Sequence, residues 1–214
     1  MKLKPEAPVA ARRYHHGDLR NAVIDAGLQL LASRPLDELG LREVAREVGV
    51  SATAIYRHFA DKQALKTALA QAGLDQLAQA QQAASARAGG GMAGFLASGL
   101  AYVRFAVDQP VLFRLVFSHA QPEDLLDKAP DRMSEALRCL RQDIAALLPP
   151  GRPAAEYKAA ALHAWALVHG LALLVLDRQI PDDQALIEQV LRGFAGVLRG
   201  PQAAAPAGRP VQRP

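Results

Sequence analysis

The stretch from Leu41 to Lys62, LREVAREVGVSATAIYRHFADK, most narrows what this chain can fold into. Leu41, Val44, Ala45 and Val48 recur at helical spacing and give one apolar face. Gly49 follows where a helix commonly ends in a left-handed residue. Val50 is expected to pack inward, and Ser51 is a good N-cap, its hydroxyl able to accept a backbone N–H of the next turn. A second helix then runs from Ala52 to Phe59, with Ile55 and Phe59 one turn apart on one face. Ala52, Thr53, Ala54, Tyr56, Arg57 and His58 are left to point elsewhere. A helix this short cannot be stable alone. Its outward residues suit a nucleic acid: small ones at the start for close approach, then Tyr, Arg and His within reach of phosphates.

Two short helices on a tight turn make a helix-turn-helix. More specifically, GVSATAIYRHFADKQAL, residues 49–65, resembles the TetR/AcrR family of regulators. Members show a Gly-Val-Ser turn, a small or Thr-containing start, an aliphatic residue, Tyr, an aromatic or basic residue, His or Tyr, Phe, and a Lys opening the next helix. YHHGDLRNAVIDAGLQLLA resembles the opening helix of one subgroup. The resemblance implies that Ala52, Thr53 and Ala54 face base edges while Tyr56, His58 and Lys62 contact phosphates. Ser51 and Arg57 complete the candidate DNA-binding set. Thr53 can donate or accept and touch a thymine methyl, and Arg57, turned to the groove, could read a guanine. Ala54 departs from the common Thr and removes one polar contact. Gly40 stands where members often carry a Ser or Thr N-cap, a loss of a few tenths of a kcal/mol.

The remainder of the chain reads as helical. Half of the 214 residues are hydrophobic, Ala and Leu dominate, and no alternating Val/Ile/Thr run suggests a strand. The formal charge is +4 and the pI about 9.5, which fits a polyanionic partner without demanding one. The excess is local: Lys2, Lys4, Arg12, Arg13 and Arg20 against Glu6 and Asp18 leave +3 within residues 1–20. Cys139 is the single cysteine, so no intramolecular disulfide forms. MKLKPEAPVAARR has charges but no apolar core and is not expected to be a signal peptide; the expected localisation is cytoplasmic. Ala159 to Leu176 is an eighteen-residue run without a formal charge. Interrupted by His163, His169 and Gly170, and rich in Ala, it is expected to be a buried helix rather than a membrane span.

In order, helices are expected from Gly17-Asp18 to about Arg34, at 41–48, at 52–59, and from Lys62, capped by Asp61, to about Ala84. Lys62 would then lie at a helix N-terminus, where phosphate is already favoured. SARAGGG, residues 85–91, is the clearest break. Beyond it helices are expected from Met92 to Asp108, over VLFRLVFS after Pro110, from Arg132 to Leu148, from Pro153 to about Arg178, and from Asp183 to Leu198 after a Pro181-Asp182 break and cap. Residues 121–130 read as a loop, and residues 1–13 and 200–214 as disordered tails; Arg12, Arg13, His15 and His16 read either as a basic arm over the DNA backbone or as part of a solvated tail. The expected fold is all-α with about nine helices. A three-helix DNA-binding domain (14–62) precedes a helical ligand-binding and dimerisation domain (63–199).

AWALVHGLALL, with Trp165, His169 and Gly170, resembles the Trp-x-x-x-His-Gly (WHG) signature of one TetR C-terminal subgroup. Trp165 and His169, one turn apart, share a face. With Phe95, Tyr102, Phe105, Phe113, Phe117 and Met133 they could line an apolar cavity for a small apolar or aromatic effector, or simply form core. The family resemblance favours a cavity. His163 and His169 do not share a face, and no His-x-x-x-His pair or acidic cluster accompanies them, so no metal is expected. No nucleophile motif, phosphate loop or paired carboxylates suggest an enzyme, and no cofactor is expected. One recognition helix makes too few contacts for tight binding, whereas two on a twofold axis enter successive major grooves. Leu167, Leu174, Leu186, Val190, Phe194 and Val197 on the last two helices are the candidate homodimer contacts. The resemblance implies a ligand-responsive repressor on a double-stranded, pseudo-palindromic operator. The alternatives are a ligand-binding protein whose helix-turn-helix no longer engages DNA, an enzyme using the cavity, and an activator of the same fold.

Overall fold

The computed structural model describes residues 19–118 and 133–199, with side chains throughout except at 195 and 197–199. The expected loop at 121–130, both tails and the side chain of Val197 lie outside the described residues. Nine helices and no strand occur among the described residues: α1 (Leu19–Leu31), α2 (Leu41–Val48), α3 (Ala52–Tyr56), α4 (Lys62–Arg87), α5 (Gly91–Asp108), α6 (Pro110–Ser118), α7 (Glu135–Leu147), α8 (Ala154–Leu176) and α9 (Gln184–Arg199). The chain is all-α, a helix-turn-helix segment followed by a helical C-terminal part.

Two compact units form. The first comprises α1–α3, α4 as far as Leu74, and α6. The division thus falls inside α4 rather than at residue 62, and α6 joins the N-terminal elements. Steric fit explains this. A Cβ on Gly73 would stand 2.7 Å from Val116 Cγ2 and 2.9 Å from Leu112 Cδ1, so α6 seats directly on the α4 backbone. Likewise a Cβ on Gly27 would stand 2.8 Å from Leu69 Cδ2, which brings α1 against α4. Val23, Leu30, Val44, Ile55, Phe59, Leu65 and Leu69 fill the core between these helices. Burying each such side chain contributes about 1.5–3 kcal/mol, which a five-residue α3 could not supply for itself.

The second unit comprises the rest of α4 with α5, α7, α8 and α9. α5 and α8 are its spine. Val103, Leu171, Val175, Ile187 and Leu191 form one cluster, and Ile144, Leu148, Ala161 and Ala164 form another beneath α7. The all-round burial expected of α8 is not seen: Leu162 is 51% exposed and Leu174 43% exposed. α8 is also the one helix among the described residues long and apolar enough to cross a membrane.

Helix ends follow cap chemistry more closely than the apolar periods do. α1 stops at Leu31, three residues early, where Ala32 to Ser33 turn back with N–H bonds to Leu28, Gln29 and Leu30. α4 runs on to Arg87, so the expected 85–91 break shrinks to a turn before Gly91. There Gly89 is left-handed (φ 82°) and the Gly90 N–H reaches back to Ser85 O (3.0 Å), which satisfies an end carbonyl. α7 opens at Glu135, three residues late, because Ser134 caps it by accepting from Leu137 N (3.4 Å). α9 is capped by Asp183, not Asp182: its Oδ1 accepts from Ala185 N (2.9 Å) and Leu186 N (3.2 Å). Asp182 instead forms an ion pair with Arg104 of α5.

Candidate functional site

α2 ends at Gly49, left-handed with φ 77°, and Val50 N–H donates to Ala45 O (2.9 Å). Ser51 Oγ then accepts from Ala54 N (3.2 Å), as an N-cap must. α3 is helical only to Tyr56, three residues short of the expected Phe59, because the chain must turn before Asp61. His58 N and Phe59 N both donate to Ile55 O (2.8 and 2.9 Å), and Asp61 Oδ1 caps α4 by accepting from Ala64 N (2.7 Å). Phe59 nevertheless joins Ile55 in the core, so the two anchor one side of the segment.

The opposite side faces solvent. Ser51, Thr53, Tyr56 and Arg57 are exposed, while Ala52, Ala54 and His58 are half-buried. Tyr56, at 50% exposure, is not core. A polar, donor-rich face on a rigidly seated helix can hydrogen-bond phosphates and base edges. Lys62 behaves differently. It is half-buried, and its Nζ donates to Asp37 O (2.8 Å) in the loop between α1 and α2. Its ammonium therefore already fastens that loop, with two further N–H groups left over. Sequence reasoning did not reveal this bond, since a main-chain carbonyl carries no residue-type signal.

In the second unit the structure brings together Tyr102, Trp165 and His169. Trp165 Nε1 donates to Tyr102 Oη (3.4 Å), and Tyr102 Oη lies 2.8 Å from His169 Nδ1. The indole can only donate, so the phenol accepts from it. The His169 ring meets those of Tyr102 and Trp165 edge-on, at 6.3 and 6.4 Å between centroids. Burial pushes the Tyr102 phenol well above its usual range, only partly offset by the Trp165 bond. Burial also holds the His169 imidazole below its ordinary value. Both groups are thus neutral at neutral pH, as an apolar site with a few placed polar atoms requires.

The other candidate lining residues are dispersed. Phe105 is buried on α5, and Phe95 packs against the Ile144–Ala161 cluster. Met133 Sδ accepts from Arg141 Nη1 (3.4 Å). Phe113 and Phe117 belong to the first unit, their rings 4.8 Å apart on α6. Among the described residues no group of three His, Cys, Asp or Glu could hold a metal ion.

Of the candidate dimer contacts, Leu174 and Leu186 are exposed. Leu167 and Val190 instead pack on the chain's own Val103–Leu191 cluster, and Phe194 packs on the Ile144 cluster with its ring 6.0 Å from that of His163. Leu162 and Ala166 of α8, outside that candidate set, are also exposed. With Gly170 and Leu174 they recur every four residues along α8 and so share one side of it.

Residues 23–69 match the family described as "Bacterial regulatory proteins, tetR family", and residues 95–194 match "Tetracyclin repressor-like, C-terminal domain". A stretch of 43 residues is 51% identical to an uncharacterised helix-turn-helix-type transcriptional regulator of Haemophilus influenzae, and spans only 21% of that protein. Among solved structures, a protein of unknown function from Rhodococcus sp. RHA1 is similar at TM-score 0.70 and 29% identity, covering 87% of this chain and 98% of that one. A TetR family transcription regulator from Marinobacter aquaeolei shares the fold at TM-score 0.60 and 18% identity, over 85% of this chain and 96% of that one. With both halves matched, in the order in which the helix-turn-helix and the helical C-terminal part stand in the fold, the chain belongs to the TetR family of bacterial transcription regulators.

Proposed function

We propose that this protein is a ligand-responsive repressor that binds a pseudo-palindromic operator as a cytoplasmic homodimer, without enzymatic activity. The observation that carries the DNA-binding part is the two-sidedness of the α3 segment: Ile55 and Phe59 are buried, while Thr53, Tyr56 and Arg57 are exposed. Thr53, with Ala52 and Ala54, reads base edges by small-residue contact. Arg57 supplies the guanine-reading fork, and Ser51, Tyr56 and His58 hold the backbone. Two copies of the segment on a twofold axis enter major grooves roughly 34–36 Å apart. The exposed Leu162, Leu174 and Leu186 supply apolar surface for that pairing, which also accounts for the apolar character of α8 without a membrane.

The effector is a small apolar or aromatic molecule recognised at the Tyr102–Trp165–His169 cluster. It lowers operator affinity by favouring a different separation of the two DNA-binding units. By linkage it binds the free protein more tightly than the DNA-bound one by the same factor.

The test is binding of the purified protein to its own upstream DNA and to a scrambled duplex across a salt series. Preference for the upstream duplex, with affinity falling steeply as salt rises, supports the regulator. If no duplex is enriched from a pool of genomic fragments, the repressor reading fails.

A further inference from the structure

We propose that Arg20 is a phosphate-binding residue of the DNA interface, held in position by the ring of Phe59. This rests on the DNA-binding reading above. Arg20 lies in the first turn of α1 and is exposed. Its guanidinium carbon stands 5.5 Å from the centroid of Phe59, which closes the recognition segment and is only 2% exposed. The cation therefore covers the outer face of a ring whose other contacts are core.

Arg34 and Arg46 share Glu43, and Lys62 is bonded to Asp37 O. Arg20 has no acidic partner among the described residues. A guanidinium resting on an aromatic face keeps its N–H donors in plane at its edges, where a phosphate can accept two of them. The contact with the ring also restricts the long side chain before DNA arrives, so less rotamer freedom is lost on binding. Such a contact sets position on the backbone and carries no sequence information. Arg20 thus fixes where the recognition segment sits rather than which bases it reads.

The experiment uses two duplexes: one enriched by the wild-type protein from a random pool, and a scrambled one of equal length. Arg20→Met keeps a long apolar chain over Phe59, Arg20→Gln is a second neutral variant, and Arg20→Lys keeps a charge. Thermal unfolding checks that each folds. We expect both neutral variants to bind each duplex more weakly by the same factor. Their log-affinity against log-salt slopes should be shallower by about 0.9 per bound protomer, or roughly 3.5-fold less affinity lost per protomer between 50 and 200 mM salt. Arg20→Lys should keep the wild-type slope. Neutral variants with the wild-type slope, while the wild type still prefers its enriched duplex, overturn the role of Arg20 and leave the regulator standing. A wild type that enriches no duplex overturns both.

Discussion

Arg178 is the one residue other than glycine with positive φ, 56°, among the described residues. It closes α8 as Gly49 closes α2. Gln179 N–H reaches Leu174 O (2.8 Å) and Arg178 N–H reaches Val175 O (3.0 Å), the paired bonds of a left-handed helix end. A side chain in that conformation costs about 1–2 kcal/mol, partly offset because glycine loses more freedom on folding. Arg178→Gly should therefore raise stability by about 0.5–1 kcal/mol, read as a higher urea midpoint with an unchanged slope. His169 carries a prediction of opposite character. Because burial lowers its folded-state value, the unfolded chain takes up the proton first as pH falls. The stability from neutral His169 is complete above about pH 6.5 and is lost as pH falls below it toward the lowered folded value. Denaturant melts at pH 7.5 and 5 should show a drop in the wild type that is smaller in His169→Gln. At this scale the caps at Ser51 and Asp61 were legible, since each acts on a backbone N–H three residues away. The partner of His169, 67 residues distant, was not.

Between elements, two glycines with the same helix propensity stand in opposite surroundings. A Cβ on Gly73 would meet Val116 and Leu112, both buried and without room to withdraw. A Cβ on Gly170 would meet nothing within 4 Å. Replacing either with alanine gains about 1 kcal/mol of propensity, but overpacking costs about 1–3 kcal/mol. Gly73→Ala should thus lower stability by about 1 kcal/mol, and Gly170→Ala should raise that of the chain by about as much. Thermal melts of the two variants side by side decide it. Equal shifts would mean that α6 does not rest on α4 as described. The existence of each helix was readable from periodicity and from Gly and Pro punctuation. The seating of α6 among the N-terminal helices was not, because VLFRLVFS is apolar on most sides and names no partner.

For the whole molecule, the prediction concerns association. Leu162 and Leu174 lie on one exposed line of α8. If that line meets a second copy, Leu162→Glu with Leu174→Glu places charges in a desolvated contact, and sedimentation should find a monomer where the wild type is a dimer. Specific operator affinity should fall with it, while the far-ultraviolet helix signal stays. A dimer that survives both charges would put the interface elsewhere.

The amino-acid sequence by itself determined the all-α class, the helix-turn-helix, its capped and glycine-closed ends, and the polar side of the recognition segment. All of these follow from rules that act within one helical turn. Tertiary structure alone decided that Leu167 faces inward while Leu162 faces outward, and that Lys62 holds the Asp37 carbonyl. It likewise decided that Arg20 rests on Phe59 and that Tyr102 joins Trp165 to His169. The reason is physical. An evenly apolar helix has no period to mark its inner side, and contacts between distant residues depend on how helices cross, which no local pattern encodes.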